Sequence, residues 1–251
     1  MITLYGMSSP NVRKVVIALE ETGLAYSREH VNVFGGEHFE PGFRALNPFA
    51  KVPVLVDGSQ PGEAAPIFES GAILIYLAET YAPELLPASG PARWEVMKWL
   101  MAQVANVGPI FGQHSHFRRE PGKAPYAAER FRRTAAEIYR ILDRRLAEAP
   151  YLAGDAYSIA DIATYPWARY LRRHGMTEDA CPHLADWMAR LASRPAVARA
   201  ATIMSDWGRL DTRDMVKAGP DDMQRYFWMH FPGPTEEEAA TTLKDARVTE
   251  P

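Results

Sequence analysis

Two short segments have the residue types needed to hold a small peptide. Lys51-Val52-Pro53-Val54-Leu55 reads as a strand entered through an X-Pro bond. Proline has no N–H and a weakened trans preference, so Val52-Pro53 is a candidate cis bond. Such a turn leaves the Val52 N–H and C=O facing outward, free to pair with an extended peptide as an unpaired strand edge does. The second segment, Phe68-Glu69-Ser70-Gly71, opens an apolar helical run. A helix N-terminus offers free N–H groups and the positive end of the helix dipole, which attract a carboxylate. Glu69 could hold an ammonium beside that carboxylate. One place for a peptide backbone and one for an amino-acid head describe a binder of a small peptide. The same residues also make an ordinary strand turn and a capped helix, and by themselves they leave both readings open.

Other reactive side chains point to less. His114 and His116 are two residues apart, a spacing that suits metal ligands on a strand but sends them to different faces of a helix, so no metal is expected. Cys181 is the single cysteine, with no C-x-x-C, so neither a disulfide framework nor a protein dithiol is available. Tyr5 lies inside a strand and reads as a core or subsurface residue. The net charge of −3 gives no reason to expect nucleic acid or an anionic membrane as partner. No apolar run has the length of a membrane span, and Met1-Ile2-Thr3-Leu4-Tyr5 enters a strand without the basic and apolar regions of a signal peptide. The expected location is the cytoplasm.

The elements that must position these residues fall into two blocks. Residues 2–6 read as a strand, 12–21 as a helix ended by Gly23, and 26–33 as a second strand parallel to the first. A short helical turn over 43–46, strands over 51–56 and 64–68, and a helix over 70–81 complete a βαβ-ββα unit. A stretch rich in proline then marks a linker. After it the strand signals stop. Helices are expected over 94–107 with a break at Gly108-Pro109, then over 125–149, 158–173, 182–191 and 195–204. Ser158-Ile159-Ala160-Asp161 has the form of a capping box. Residues 223–234 are too apolar for a free tail and are expected to pack on the body, and Thr235 with Glu238 could cap a last short helix.

Taken in order, Pro10-Asn11, Asn47-Pro48-x-x-Lys51-Val52-Pro53, Phe68-Glu69-Ser70-Gly71-Ala72-Ile73-Leu74, Gly108-Pro109, Gly112-Gln113, Pro125-Tyr126-Ala127 with Glu129-Arg130, and Tyr157-Ser158-Ile159-Ala160-Asp161 resemble the glutathione transferase superfamily. Within it they are most similar to the bacterial nu class, the glutathione-dependent disulfide-bond oxidoreductases. The resemblance covers roughly residues 1–204. It implies an α/β thioredoxin-like N-terminal domain over 1–82, a linker over 83–92, an all-α helical domain over 93–204, and an extension over 205–251 packing on the body.

The resemblance also implies roles. Asn11 and Ser9, where the first helix begins, would be the catalytic donors to the glutathione sulfur, whose thiol is mostly protonated at neutral pH unless a helix N-terminus or a donor lowers its pKa. Lys51, Val52, Pro53, Glu69 and Ser70 would bind glutathione, with Lys51 on its glycine carboxylate. Arg130 would reach toward it from the long helix. His38 stands where the class often has an amide side chain, a departure that leaves its contact open. The implied activity is glutathione-dependent disulfide reduction in which glutathione supplies both thiols, with glutathione as co-substrate, a small disulfide or electrophile as second substrate, and a homodimer as the assembly. Conjugation of electrophiles by the same thiolate, and a non-catalytic glutathione-binding module, are the alternatives.

Overall fold

The structure is a computed structural model that describes residues 1–60 and 65–227. The expectations for residues 228–234, for a cap at Thr235, and for the strand start at Ala64 lie outside the described residues.

The chain opens with β1 (Ile2–Gly6), whose alternate residues Ile2, Leu4 and Gly6 are buried. α1 (Pro10–Thr22) follows, with Ser9 as its cap, Pro10 in its first turn, and Gly23 at φ 69 ending it. Pro10 loses nothing there, because the first N–H groups of a helix have no intrahelical partner. β2 (Tyr26–His30) pairs parallel to β1, as the strand–helix–strand order predicts. β2 ends earlier than its alternation suggests. Val31, Val33 and Phe34 leave the sheet and bury themselves in a small cluster with Phe43 and Val54. A short α2 (Pro41–Leu46) leads to β3 (Val54–Asp57), antiparallel to β1, and β4 (Pro66–Phe68), antiparallel to β3. The sheet order is β2-β1-β3-β4. α3 (Ser70–Tyr81) closes this lobe.

The second lobe is helical throughout. α4 (Gly90–Ala102) does not break at Gly108-Pro109 but runs through a π turn at Gln103–Val107 into α5 (Gly108–Phe117). The wider turn absorbs the N–H that Pro109 lacks. α6 (Pro125–Glu148) is the long helix, and α7 (Ile159–Ala168) begins at the expected capping box. There the fully buried Asp161 accepts from the Ser158 N–H at 3.1 Å, the Leu152 N–H at 3.0 Å and the Trp187 indole at 2.9 Å. α7 ends before the expected 173. Pro166 inside it removes an interior N–H, and a 3-10 turn at Arg172–His174 follows. After α8 (Pro182–Ala192), α9 (Pro195–Lys217) continues well past 204, with Trp207, Asp211 and Asp214 on its buried side. α10 (Pro220–Tyr226) then folds back onto the first lobe, with the Tyr226 ring 4.9 Å from that of Phe34.

α1 joins the two halves. It packs against α3 on one side and against α7 and α9 on the other. Val12 and the run from Lys14 to Leu19 are all buried, so this helix is enclosed rather than amphipathic. One continuous apolar core runs from Leu4 and Leu74 through α1 to Ile162 and Trp207. Among the described residues no helix is long and apolar enough to cross a membrane.

Candidate functional site

A cleft of about 380 Å³ opens between the lobes, where the start of α1, the entry to β3, the start of α3 and the π turn meet. Asn11, Lys51, Val52, Pro53, Glu69 and Ser70 all line it. The sequence segments far apart in the chain therefore converge on one surface.

The Val52-Pro53 bond is cis. The turn before it is shaped by Asn47, which is buried, donates its amide to the Lys51 carbonyl at 2.7 Å, and accepts from the Phe49 N–H at 3.0 Å. With its side chain spent on the turn, Asn47 presents the Val52 edge to the cleft rather than a group of its own.

Glu69 lies at φ 68, a left-handed conformation that non-glycine residues adopt at a cost of roughly 1–3 kcal/mol. It is held there at the cap of α3, exposed, directly ahead of the buried Ser70. The strain places a carboxylate beside the free N–H groups of the α3 start, opposite charges next to one another in one corner of the cleft.

Asn11 is fixed by a contact from the other lobe. Its Oδ1 accepts from the Trp167 indole N–H at 3.0 Å. An indole only donates, so this bond sets the amide orientation and leaves the two Nδ2 protons for the cleft. Ser9, by contrast, caps α1 by accepting from the Val12 N–H at 3.3 Å and faces a neighbouring cavity instead of this cleft. Its hydroxyl proton is not used by that bond.

Two residues in the floor of the cleft were not singled out from the sequence. Lys14 is 2% exposed, and its ammonium donates to Gln103 Oε1 at 2.6 Å and to Ser70 Oγ at 3.2 Å. Burial brings its pKa down to about 7, and the Glu69 charge pulls the other way. Because the ammonium can only donate, Ser70 must accept and keeps its own proton for the cleft. Gln103 is likewise turned so that its Nε2 is left over, buried without a partner. The floor is thus a set of donors waiting for an acceptor. A lysine inside the apolar stretch Val12–Leu19 was the available signal; nothing local marked Gln103.

The remaining expected contacts are elsewhere. Arg130 lies on the exposed side of α6, with its guanidinium over the ring of Phe131, and does not line the cleft. His38 is buried in a 3-10 turn with its ring against Phe39, its pKa lowered to about 4 by burial, and it does not reach the cleft either. Tyr5 packs at the edge of the small cluster around Val54. His114 and His116 point apart on α5, one buried against His174 and the other toward a second cavity, and among the described residues no group of side chains could hold a metal. Cys181 is fully buried, with its thiol pKa raised by burial.

That second cavity, about 420 Å³, lies beside the cleft and shares Trp167 with it; Pro10, His116, Arg119, Tyr170, Arg173, Tyr226 and Phe227 are among its walls. α10 supplies its outer side, where the rings of Phe227 and His116 are 5.2 Å apart.

Comparison with known proteins agrees with this geometry. Residues 8–80 match the family model "Glutathione S-transferase, N-terminal domain" and residues 80–195 match "Glutathione S-transferase, C-terminal domain". The disulfide-bond oxidoreductase YfcG of Escherichia coli is 39% identical over 203 residues, which span 80% of this chain and 94% of that protein. Among solved structures, a glutathione transferase family member from Pseudomonas fluorescens with two glutathione bound superposes with a TM-score of 0.74 at 37% identity, over 79% of this chain and 91% of that one. One from Pseudomonas putida, with one glutathione disulfide bound per subunit, gives 0.72 at 34% identity, over 79% and 90%. The chain belongs to the glutathione transferase superfamily, with its α/β thioredoxin-like lobe followed by an all-helical one.

Proposed function

We propose that the protein is a glutathione-dependent disulfide-bond reductase whose chemistry uses glutathione thiols alone. The observation that carries this reading is the donor-lined cleft: the Val52 edge, the strained Glu69 beside Ser70, and the Asn11 amide turned donor-first by Trp167. In this reading the γ-glutamyl carboxylate sits on the Ser70 hydroxyl and the start of α3, and its ammonium on Glu69. The cysteinyl backbone pairs with Val52, Lys51 meets the glycine carboxylate, and the sulfur lies against Asn11 Nδ2. Ser9 supplies a hydroxyl from the side of the adjoining cavity. His38 and Arg130, which lie away from the cleft, are not assigned to it. Glutathione and glutathione disulfide bound in similar structures support glutathione as the ligand.

The donors lower the thiol pKa by stabilising the thiolate, the species that attacks a disulfide. The glutathione thiolate attacks one sulfur of the substrate disulfide. That S–S bond breaks, a glutathione–substrate mixed disulfide forms, and the leaving thiolate takes a proton from solvent. A second glutathione thiolate then attacks the glutathione sulfur of the mixed disulfide. The second substrate thiol leaves, and the two electrons gained by the substrate are balanced by oxidised glutathione. The protein's part is positioning and charge stabilisation. Cys181, buried with a raised pKa, is not suited to take either thiol role. A homodimer is the proposed assembly.

The test compares turnover of hydroxyethyl disulfide plus glutathione with conjugation of a chlorinated dinitrobenzene, in the wild type and in Cys181→Ala. Disulfide reduction that persists in Cys181→Ala is the expected result. Fast conjugation without disulfide reduction would overturn the reductase reading in favour of a conjugating transferase. If glutathione produces no shift of the melting temperature, the glutathione site itself is wrong.

A further inference from the structure

The helical lobe grips the start of α1 from two sides. On one side the Trp167 indole holds Asn11. On the other, α9 lays Trp207, Asp211 and Asp214, spaced i, i+4 and i+7 on its buried face, along the loop between β1 and α1. Trp207 packs so close to the end of β1 that a Cβ on Gly6 would come 3.1 Å from its ring. Asp211 makes the polar half of the contact and is 7% exposed. Its Oδ2 accepts from the Ser8 N–H at 2.8 Å and from the Ser8 hydroxyl, and its Oδ1 pairs with His30 Nε2 at 2.8 Å. A carboxylate only accepts, so the proton of that last bond is on Nε2. Asp211 is flanked by Asp214, which lies 3.9 Å from His30 Nδ1 and pairs with Arg213 at 3.1 Å, and by the Tyr226 phenol on α10, whose pKa is raised by burial first and by the Asp211 charge in addition.

Taking a carboxylate out of water carries a desolvation penalty, so apolar packing alone would fasten α9 at least as well. What the buried polar contact adds is a fixed direction. Within the loop, the Ser9 N–H turns back onto the Met7 carbonyl at 2.8 Å, and the Ser9 carbonyl and hydroxyl serve the first turn of α1. The bonds from Ser8 to Asp211 reach across to another element instead. Ser8 stands one residue before the cap of α1 and three before Asn11. With both of its donors turned to Asp211, it has none for the cavity side, and the hydroxyl that the loop offers outward is that of Ser9. The residues of this tie on α9 lie past residue 195, where the match to the family model ends.

We propose that Asp211 is a positioning residue for the sulfur site: through Ser8 it fixes where α1 begins, and so where the Ser9 hydroxyl and the Asn11 amide stand when a thiolate forms beside them. This role rests on the glutathione reading of the cleft. Without the tie the loop is free to turn, its donors meet the sulfur less well, and the thiol returns toward its ordinary pKa. Val52, Glu69 and Ser70, which hold the parts of the ligand that do not react, lie on other elements and do not depend on Asp211. Asparagine at this position separates geometry from charge. Its oxygen still accepts from Ser8, and its NH2 donates to His30 Nε2 once the imidazole proton has moved to Nδ1, the nitrogen that faces Asp214.

The experiment uses the full chain as wild type, Asp211→Ala, Asp211→Asn, Ser8→Ala and Asp214→Asn. The ultraviolet absorbance of bound glutathione thiolate is followed against pH, S-methylglutathione affinity is measured by calorimetry, and kcat is measured against pH with hydroxyethyl disulfide and with a chlorinated dinitrobenzene. In Asp211→Ala, thiolate and kcat at neutral pH should fall about tenfold, as a thiol pKa raised by about one predicts, and should recover as the pH is taken above that pKa. Affinity for S-methylglutathione should stay within about twofold of the wild type, as expected of a change away from the groups that hold it. Asp211→Asn should restore most of the thiolate, Ser8→Ala, which keeps the backbone bond, should show a smaller shift in the same direction, and Asp214→Asn should match the wild type. An unchanged thiol pKa in Asp211→Ala, a loss of kcat that is equal at every pH, or a fall in S-methylglutathione affinity as large as the fall in kcat overturns the role. Should Asp211→Ala fail to fold, Ser8→Ala decides, and a thiol pKa unchanged there overturns it. If the variants shift the thiolate as expected but the wild type reduces no disulfide and only conjugates, Asp211 keeps its role and the reductase reading fails. If the wild type lowers no bound thiol, the glutathione chemistry fails and this role with it.

Discussion

The two neighbouring spaces are built by opposite means. The cleft at the starts of α1 and α3 is made largely of backbone: a cis turn, a strained cap, and helix N–H groups, with side chains whose hydrogen-bonding sense is fixed by second partners. The cavity beyond Trp167 is made of side chains from the helical lobe, aromatic rings and the guanidiniums that rest over them, closed on its outer side by α10. Backbone geometry repeats accurately and suits a ligand that never changes. Rings and long cations on helix surfaces can be exchanged singly, which suits a second substrate that differs from one family member to another.

If that contrast holds, damage to the first space should abolish chemistry, and damage to the second should change selectivity. The largest effect is expected at Asn11. Asn11→Ala should lower kcat for disulfide reduction by about 100-fold, the scale found for loss of one preorganised donor to a developing anion, whereas Tyr5→Phe should change it less than about twofold, as expected of a substitution away from the reacting atoms. Asn11→Asp keeps an oxygen for Trp167 but removes the donor, so it should be as impaired as the alanine. A near-normal Asp variant would show that position, not donation, is what matters. Next, Ser70→Ala and Glu69→Gln should each raise the KM for glutathione about tenfold with much less change in kcat, because they hold the part of the ligand that does not react. Steady-state kinetics with glutathione varied separates the two parameters, and a pure kcat defect would break the assignment.

A smaller effect probes the floor. The folded pKa of Lys14, about 7, lies below its ordinary 10.5. Between those values the unfolded chain holds the extra proton, so raising the pH across this window favours the folded chain, and at lower pH the full penalty of a buried charge is present. A bound carboxylate favours the charged lysine and raises its pKa, so binding takes up a proton and weakens as pH climbs. The affinity for S-methylglutathione, which has no thiol to titrate, should fall about fivefold more between about pH 7 and 8.5 in the wild type than in Lys14→Met, where only the ligand's own ammonium on Glu69 titrates. Calorimetry in buffers of different ionisation enthalpy reads the proton directly. A wild-type profile no steeper than that of Lys14→Met would remove Lys14 from the binding wall. The smallest effect is expected for Tyr226→Ala, which opens the second cavity: the KM for the disulfide should rise about threefold while that for glutathione stays put, as loss of one partly exposed aromatic contact predicts. A change in the glutathione KM would mean the two spaces are not independent.

What could be read from the chain follows the same division. Val52-Pro53, Glu69-Ser70 and Asn11 were legible because each lies in a short local motif whose function is a matter of backbone conformation. The capping box at Ser158 and Asp161 was legible for the same reason. Lys14 was hidden because a lysine on a helix is ordinarily solvated, and only the burial of α1 on every side makes it a floor residue. Gln103 gave no signal, since its role depends on a π turn that carries no sequence mark of its own. α9 was expected to stop near 204; in the fold it continues to Lys217, with Asp211 and Asp214 facing inward to His30. The assignments of Arg130 and His38 came from resemblance to other chains; in the fold Arg130 rests over Phe131 and His38 against Phe39, and neither lines the cleft.

The bond between Asn11 and Trp167 has a consequence for how the molecule can be taken apart. The first lobe holds the strand edge, the cap and the helix starts, and would pass for a self-contained binding module. Yet the orientation of its most important amide is set by an indole more than 150 positions downstream. Cut from its helical half, the first lobe would bare the side of α1 that α7 and α9 cover, and it would lose the indole that tells Asn11 which end to offer. A chimera that replaces the helical lobe must therefore carry over an indole donor at the Trp167 position, or it will hold its ligand with an undecided hand.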